Sequence, residues 1–230
     1  IYTYCMTLVN IYSLIRYNLK KLNINELTHL FMDVINEQNL KLIEGIEYLA
    51  EEKFEKFKEN LNTVIETNTE VQIKKKFESK IFKSKLMFSK ADRLKLFNKI
   101  NDIKNIGEFA ANRMLLYQVV LPDKEFKLQI LSILKSLKLI SIDVSDAVKL
   151  IGSDLSKAHD ICEQIKEERR KMRKEEFQLL NRLYNYDMDY LSRTFLYLKN
   201  LIEDIMMLAD HIKTFAEYIQ FLATKYLIFD

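Results

Sequence analysis

Turn-forming residues are scarce in this chain of 230 residues, which contains three glycines and one proline. A fold of many short strands needs such residues at most of its turns, so their scarcity argues against an all-β protein. Hydrophobic residues make up 48% of the sequence, which excludes a disordered chain and is enough for a substantial core. The composition therefore predicts an all-α fold, built as one large domain or as two units of about 100 residues each.

Cysteine and net charge are low as well. Cys5 and Cys162 lie far apart without the spacing of a metal finger, which favours reduced thiols in a cytoplasmic protein. Basic residues exceed acidic ones by only three, so the overall charge does not call for nucleic acid as a partner. The sequence also lacks a glycine-rich phosphate loop, a paired-cysteine site and a nucleophile elbow. We therefore expect a binding protein and not an enzyme.

The segment 1–22 lacks a leading basic region and a small-residue cleavage site, so it does not resemble a signal peptide. Arg16 ends its apolar stretch short of the roughly 20 residues that a membrane span needs. Its apolar positions recur at alternating steps of four and three, namely Ile1, Cys5, Leu8, Tyr12, Ile15, Leu19 and Leu22. This spacing predicts an amphipathic helix that packs on a bundle, with contact to a membrane surface as the alternative.

Periodicity and capping residues divide the rest of the chain into six predicted helices. Asn23 and Asn25 mark the start of the first of these helices, and Ser89 marks the start of the third. Gly152 marks the end of the fourth helix. The predicted ranges are about 26–50, 52–86, 90–119, 126–151, 154–184 and 190–225. Because the connections are short, neighbouring helices must run antiparallel in an elongated bundle.

The third and sixth predicted helices repeat one pattern at an offset of 102 residues. One seam consists of Leu96, Ile100, Ile103, Gly107, Ala110, Met114 and Tyr117. The other consists of Leu198, Ile202, Ile205, Ala209, Ile212, Ala216 and Ile219. We therefore predict two tandem three-helix units, 23–121 and 122–230, after an additional helix at 1–22. Since heptad seams also join separate chains, a homo-oligomer stays open.

Short acidic motifs accompany the repeat. Glu66-x-x-x-Glu70 lies on the second helix and Glu163-x-x-x-Glu167 on the fifth, while the third and sixth carry INDIKN at 100–105 and IEDIMM at 202–207. These motifs resemble the PhoU-like superfamily, in the branch of phosphate transport regulators that accompany low-affinity permeases. That family has two three-helix bundles, each with Glu-x-x-x-Asp on its middle helix and Leu-Asp-Asp-Ile-x-Asp on its last. This chain departs from it, with glutamate for aspartate in the first motif and with carboxylates missing from the second.

The resemblance implies a metal site, because carboxylates one helical turn apart offer the oxygen ligands that hard cations prefer. The candidate ligands are Glu66, Glu70, Glu108, Glu163, Glu167, Glu203 and Asp210. Iron, zinc and another divalent ion are all left open as the metal. Acidic pairs on a solvated helix face are the alternative interpretation.

Positive charge is concentrated between positions 74 and 104, a segment that contains eleven basic residues and three acidic ones. Such a region would attract an anionic partner or the surface of an acidic membrane. The candidates for this contact are Lys74, Lys75, Lys76, Lys83, Lys85 and Arg93. An ordinary solvated lysine face is the alternative.

The resemblance implies a cytoplasmic regulator of inorganic phosphate transport. Such a regulator could also bind peripherally at the inner face of the membrane. It would act by binding a membrane phosphate transporter or a phosphate-signalling protein. Two alternatives stay open, a metal-free helical adaptor or oligomerisation scaffold and a metal-binding bundle that uses the carboxylate clusters.

Overall fold

The computed structural model describes residues 19, 21–66, 69–83, 88–116 and 119–227, with the backbone alone at 69–70. Within these ranges every regular element is a helix, which confirms the all-α prediction. The helices are α1 (Ile24–Ala50), α2 (Phe54–Glu66), α3 (Thr69–Ile81), α4 (Lys90–Met114), α5 (Lys124–Leu150), α6 (Leu155–Tyr184) and α7 (Arg193–Leu227). In the described part of the chain, none of them is long and apolar enough to cross a membrane. The predicted helix at 1–22 falls almost entirely outside the described residues.

Local capping explains most of the helix starts. Asn23 and Glu26 form a capping box, in which each side chain accepts a hydrogen bond from the backbone N–H of the other. Ser89 accepts from the Asp92 N–H at 3.1 Å, and Asp154 accepts from the Lys157 N–H at 2.9 Å. Each cap satisfies a backbone donor that the first helical turn leaves without a partner. The starts predicted near positions 26, 90 and 154 lie within two residues of the observed starts at Ile24, Lys90 and Leu155.

Two glycines have different roles at the helix ends and contacts. Gly152 follows α5 with φ of +102°, the left-handed conformation predicted for it. Gly45 does not mark a helix end, because α1 continues to Ala50. A Cβ at position 45 would lie 2.4 Å from Leu61 Cδ1 and 3.3 Å from Asn60 Cβ. Glycine at this position therefore allows α1 and α2 to approach closely.

The predictions for two of the helices were wrong in their boundaries. The third predicted helix should reach about position 119, but α4 ends at Met114. Leu116, two residues further on, is 73% exposed and no longer faces the core. The second was predicted as one helix over 52–86. It begins only at Phe54, because Glu52 adopts a φ of 60° in the turn after α1. Its described parts are α2 and α3, on either side of residues 67–68, and α3 ends at Ile81.

The helices share one contiguous apolar core. α1 packs on α2, α3 and α4, while α5, α6 and α7 pack on one another. The two groups meet where α1 contacts α5 and α4 contacts α7. Every described residue of the two predicted seams is buried, while Tyr117 lies outside the described residues. The helices at matching places in the proposed repeat thus face each other, and the division into units 23–121 and 122–230 stays a prediction.

Polar contacts join these matching helices. Between α1 and α5, the Ser141 hydroxyl donates to Asn36 Oδ1 at 2.9 Å and accepts from Asn39 Nδ2 at 3.2 Å. Between α4 and α7, Asp92 accepts hydrogen bonds from Lys225 Nζ at 2.7 Å and Tyr226 Oη at 2.6 Å. Burial alone would raise the pKa of Asp92, but these bonds and the one from Ser89 lower it to about 2. Specific hydrogen bonds therefore stabilise the contacts between these helices in addition to the apolar core.

Candidate functional site

The predicted metal ligands are distributed over five helices. Glu108 on α4 accepts from Lys104 at 2.7 Å, and Glu203 on α7 accepts from Lys199 at 2.6 Å. Glu167 is exposed on α6, Glu66 is the last residue of α2, and the side chain of Glu70 lies outside the described part.

The two remaining candidates are also engaged by other side chains. Glu163 Oε1 accepts from Lys166 Nζ at 2.7 Å and from Gln220 Nε2 at 2.6 Å. These bonds lower the pKa of Glu163. Both oxygens of Asp210 accept from Arg169 at 2.9 Å. Among the described side chains, no three carboxylate, histidine or cysteine groups converge as a metal site requires. The metal cluster therefore stays a prediction. Four of the candidate ligands instead pair with lysine, arginine or glutamine side chains, namely Glu108, Glu163, Glu203 and Asp210.

The predicted cationic region is divided by the fold. Lys75 and Lys83 are exposed and Lys74 and Lys76 are half-buried, while Lys85 lies outside the described residues. Arg93 is different, because its side chain is buried in the core.

Arg93 is buried because it follows the heptad phase of α4, three residues before Leu96. Its guanidinium carbon lies 4.6 Å from the centroid of the Phe88 ring. Loss of hydration lowers the pKa of Arg93 to about 10. Arg93 therefore does not contribute to the exposed cationic surface predicted from the sequence.

An ion pair with a buried carboxylate connects α4 to α7. Arg113 Nε donates to Asp204 Oδ2 at 2.8 Å, and Arg113 Nη2 lies 2.6 Å from Asp204 Oδ1. The Asp204 side chain is 1% exposed, and this burial raises its pKa to about 6 despite the arginine. Asp102, its counterpart in the predicted repeat, is exposed. Asp102 and Asp204 thus occupy equivalent positions in the two repeated helices, but the first carboxylate lies at the surface and the second at a helix interface.

A cavity of about 170 Å³ lies between α6 and α7, and we call it the cationic cavity. Its lining residues are Lys166, Arg169, Arg170, Arg173, Lys213 and Glu217. Sequence reasoning missed this site. The signal was present, because positions 166, 169, 170 and 173 share one face of a helix. Acidic residues alternate with these basic residues along α6, and a helix face of mixed charge is usually solvated.

Exposed apolar side chains collect at one end of the bundle, where α4 and α6 finish and α5 and α7 begin. Hydrogen bonds draw these helix ends together, from Tyr197 Oη to the Met114 carbonyl at 3.0 Å and from Tyr186 Oη to Asp123. We define the apolar end as the exposed residues Leu116, Val120, Tyr184, Tyr190 and Leu191. Leu191 is 84% exposed and Leu116 is 73% exposed. Clustered exposure of this kind is typical of a surface that binds another macromolecule.

Comparison with known proteins gives a likeness in fold. No protein-family model matches the chain, and no curated protein sequence matches it. A solved structure from Shewanella oneidensis MR-1, provisionally named a PhoU-like phosphate regulatory protein, matches with a TM-score of 0.72 and 13% identity, covering 88% of this chain and 100% of that one. A PhoU-like protein from the same organism matches with a TM-score of 0.76 and 12% identity over the same shares. These likenesses confirm the PhoU-like fold expected from the sequence.

Proposed function

We propose that this chain regulates inorganic phosphate transport by binding a membrane phosphate transporter or a phosphate-signalling protein. The observation that carries the proposal is the fold, which is shared over 88% of the chain with a protein provisionally named a phosphate regulatory protein. Fold alone does not determine function, so the proposal also needs a surface that suits such a role.

The apolar end supplies that surface. Leu116 and Leu191 expose large aliphatic side chains. Tyr184 and Tyr190, whose ring centroids lie 5.9 Å apart, expose aromatic ones at the same end of the bundle. Burial of exposed apolar area in a complex is the main favourable contribution to protein association. Aromatic residues of this kind are enriched in interface centres. We therefore assign the partner contact to the apolar end.

The exposed lysines support a location beside the inner face of a membrane in the cytoplasm. Lys75 and Lys83 lie on and just after α3, where they are accessible to an anionic surface. Each basic residue near such a surface contributes about 1 kcal/mol of attraction. The two exposed lysines would orient the chain weakly, and the transporter contact itself would come from the apolar end.

The test is affinity capture from phosphate-starved and phosphate-replete cells, with the partner identified by mass spectrometry. The unchanged chain should recover a phosphate transporter or a phosphate-signalling protein. The Leu116→Ser, Leu191→Ser double variant should lose it. A Leu139→Ser, Leu227→Ser variant, which changes leucines that are 48% and 43% exposed elsewhere on the surface, should retain it. Recovery of neither class of protein in either condition would refute the proposal and leave the adaptor alternative.

The metal-binding alternative has a separate test. Protein purified without chelator is subjected to elemental analysis beside a Glu66→Ala, Glu163→Ala variant. Because Glu163 is already occupied by Lys166 and Gln220, we expect iron, zinc and manganese below one per chain in both proteins. A stoichiometric metal that the double variant loses would establish the metal site instead.

A further inference from the structure

We infer that the cationic cavity between α6 and α7 binds a small oxyanion of the phosphate class. The inference depends on the geometry of the cavity and not on the proposed function. A transporter partner could be absent while the cavity still binds its anion, and the two results are measured separately.

The lining of the cavity carries a surplus of positive charge, because five of its residues are basic and only Glu217 is acidic. Lys213 pairs with Glu217 at 2.8 Å, and Lys166 pairs with Glu163, which does not line the cavity. Arg170 forms no ion pair with any described residue. Positive groups gathered in a concave site reinforce one another's field and raise the local concentration of anions.

Arg169 provides the specific donor. Its side chain is 3% exposed, and its Nη1 has no hydrogen-bond partner among the described residues. A buried donor without an acceptor is costly, and a charged one is costlier still. An oxyanion in the cavity would supply the missing acceptor.

The rest of Arg169 is already fixed in place. Its Nε and Nη2 donate to the two oxygens of Asp210, each at 2.9 Å, so the plane of the guanidinium group is set by that bidentate pair. Arg173 Nη2 lies 3.6 Å from the same carboxylate. A donor held this way loses little side-chain freedom when an anion binds, which favours affinity.

The size of the cavity limits the ligand. A volume of about 170 Å³ holds several water molecules, each of which takes about 30 Å³ in the liquid. That space suits a tetrahedral oxyanion or a single phosphoryl group and excludes a folded segment of another protein. Phosphate is favoured over a carboxylate because its oxygens can accept from several arginine and lysine donors at once.

The experiment is calorimetric titration of the full chain with inorganic phosphate. We expect saturable binding of one phosphate per chain, weakened at least about tenfold in the Arg170→Gln, Lys213→Gln variant, because the loss of a single charged hydrogen bond already has about that effect. The matched control is Lys157→Gln, Lys174→Gln, which removes the same charge from exposed positions outside the cavity. It should change the affinity less than about twofold. Circular dichroism verifies that all variants remain folded.

A second arm identifies the source of the phosphoryl group. Vesicles of phosphatidylcholine with phosphatidic acid are sedimented with the chain, with and without free phosphate. Sedimentation that the cavity variant abolishes and free phosphate displaces assigns the ligand to a lipid headgroup, whereas titration without sedimentation assigns it to the free ion. The inference is overturned if neither arm detects saturable binding, or if the control variant weakens binding as much as the cavity variant does.

Discussion

Replacing Asp204 with asparagine should remove a component of folding stability that depends on pH. Burial raises the pKa of this carboxyl from 3.8 to about 6, and Arg113 only partly opposes that effect. The folded chain therefore binds the Asp204 proton more tightly than the unfolded chain does. Stability from this group is greatest in acid and falls as the pH rises through the interval between the two pKa values.

The magnitude follows from the same shift. A difference of about two pKa units corresponds to about 3 kcal/mol, as an order of magnitude, between about pH 4 and about pH 7. Asp204 is 1% exposed, so solvent does little to screen this contribution. The free energy of unfolding of the original chain, minus that of Asp204→Asn, should therefore fall by about that amount over this interval.

The assay is urea denaturation followed by circular dichroism at several pH values. Taking the difference between the two chains cancels other titrating groups, including Asp92. Asp102→Asn is the matched control, because Asp102 is the counterpart of Asp204 on α4 but is exposed. A difference that stays flat with pH, or that rises toward neutral pH, would refute the burial argument.

Two further pairs of substitutions test the close approach of α1 and α2 and the ion pair of Arg169. Gly45→Ala should destabilise the chain by about 1–3 kcal/mol through overpacking between α1 and α2, whereas Gly107→Ala, with its nearest neighbour at 3.4 Å, should cost less than about 1 kcal/mol. Equal melting temperatures for the two variants would contradict the close approach. Asp210→Ala should cost about 2 kcal/mol, because Asp210 is 44% exposed and the buried Arg169 would keep only its 3.5 Å contact with Glu176. Glu203→Ala should stay within about 0.5 kcal/mol. Chemical denaturation checks both, and similar losses would show that the Asp210 pair is no more than a surface contact.

The sequence predicts those parts of the fold that local chemistry determines. Asn23, Ser89 and Asp154 cap their helices with their own side chains, and the period of the apolar residues places the two seams inside. Neither property depends on what the helix later packs against. The predicted end of α4 failed, because only the contacts around Met114 determine where that helix leaves the core.

The site was less predictable, because charge at a position does not reveal its surroundings. Arg93 was assigned to a surface and lies in the core. Arg169 stands in a charged run of the sequence and is nevertheless buried beside a cavity. Asp102 and Asp204 share a phase, yet only Asp204 faces an arginine of a neighbouring helix. Such differences arise from the contacts between helices, which a single sequence does not contain.

The proposed regulatory role is tested most directly by phosphate uptake in cells. Radiolabelled phosphate uptake is measured across a range of external phosphate in cells that lack the gene for this chain. Deletion should alter the dependence of uptake on external phosphate, and the original chain should restore it while Leu116→Ser, Leu191→Ser does not. Uptake that is the same with and without the gene at every phosphate concentration would contradict the proposed function.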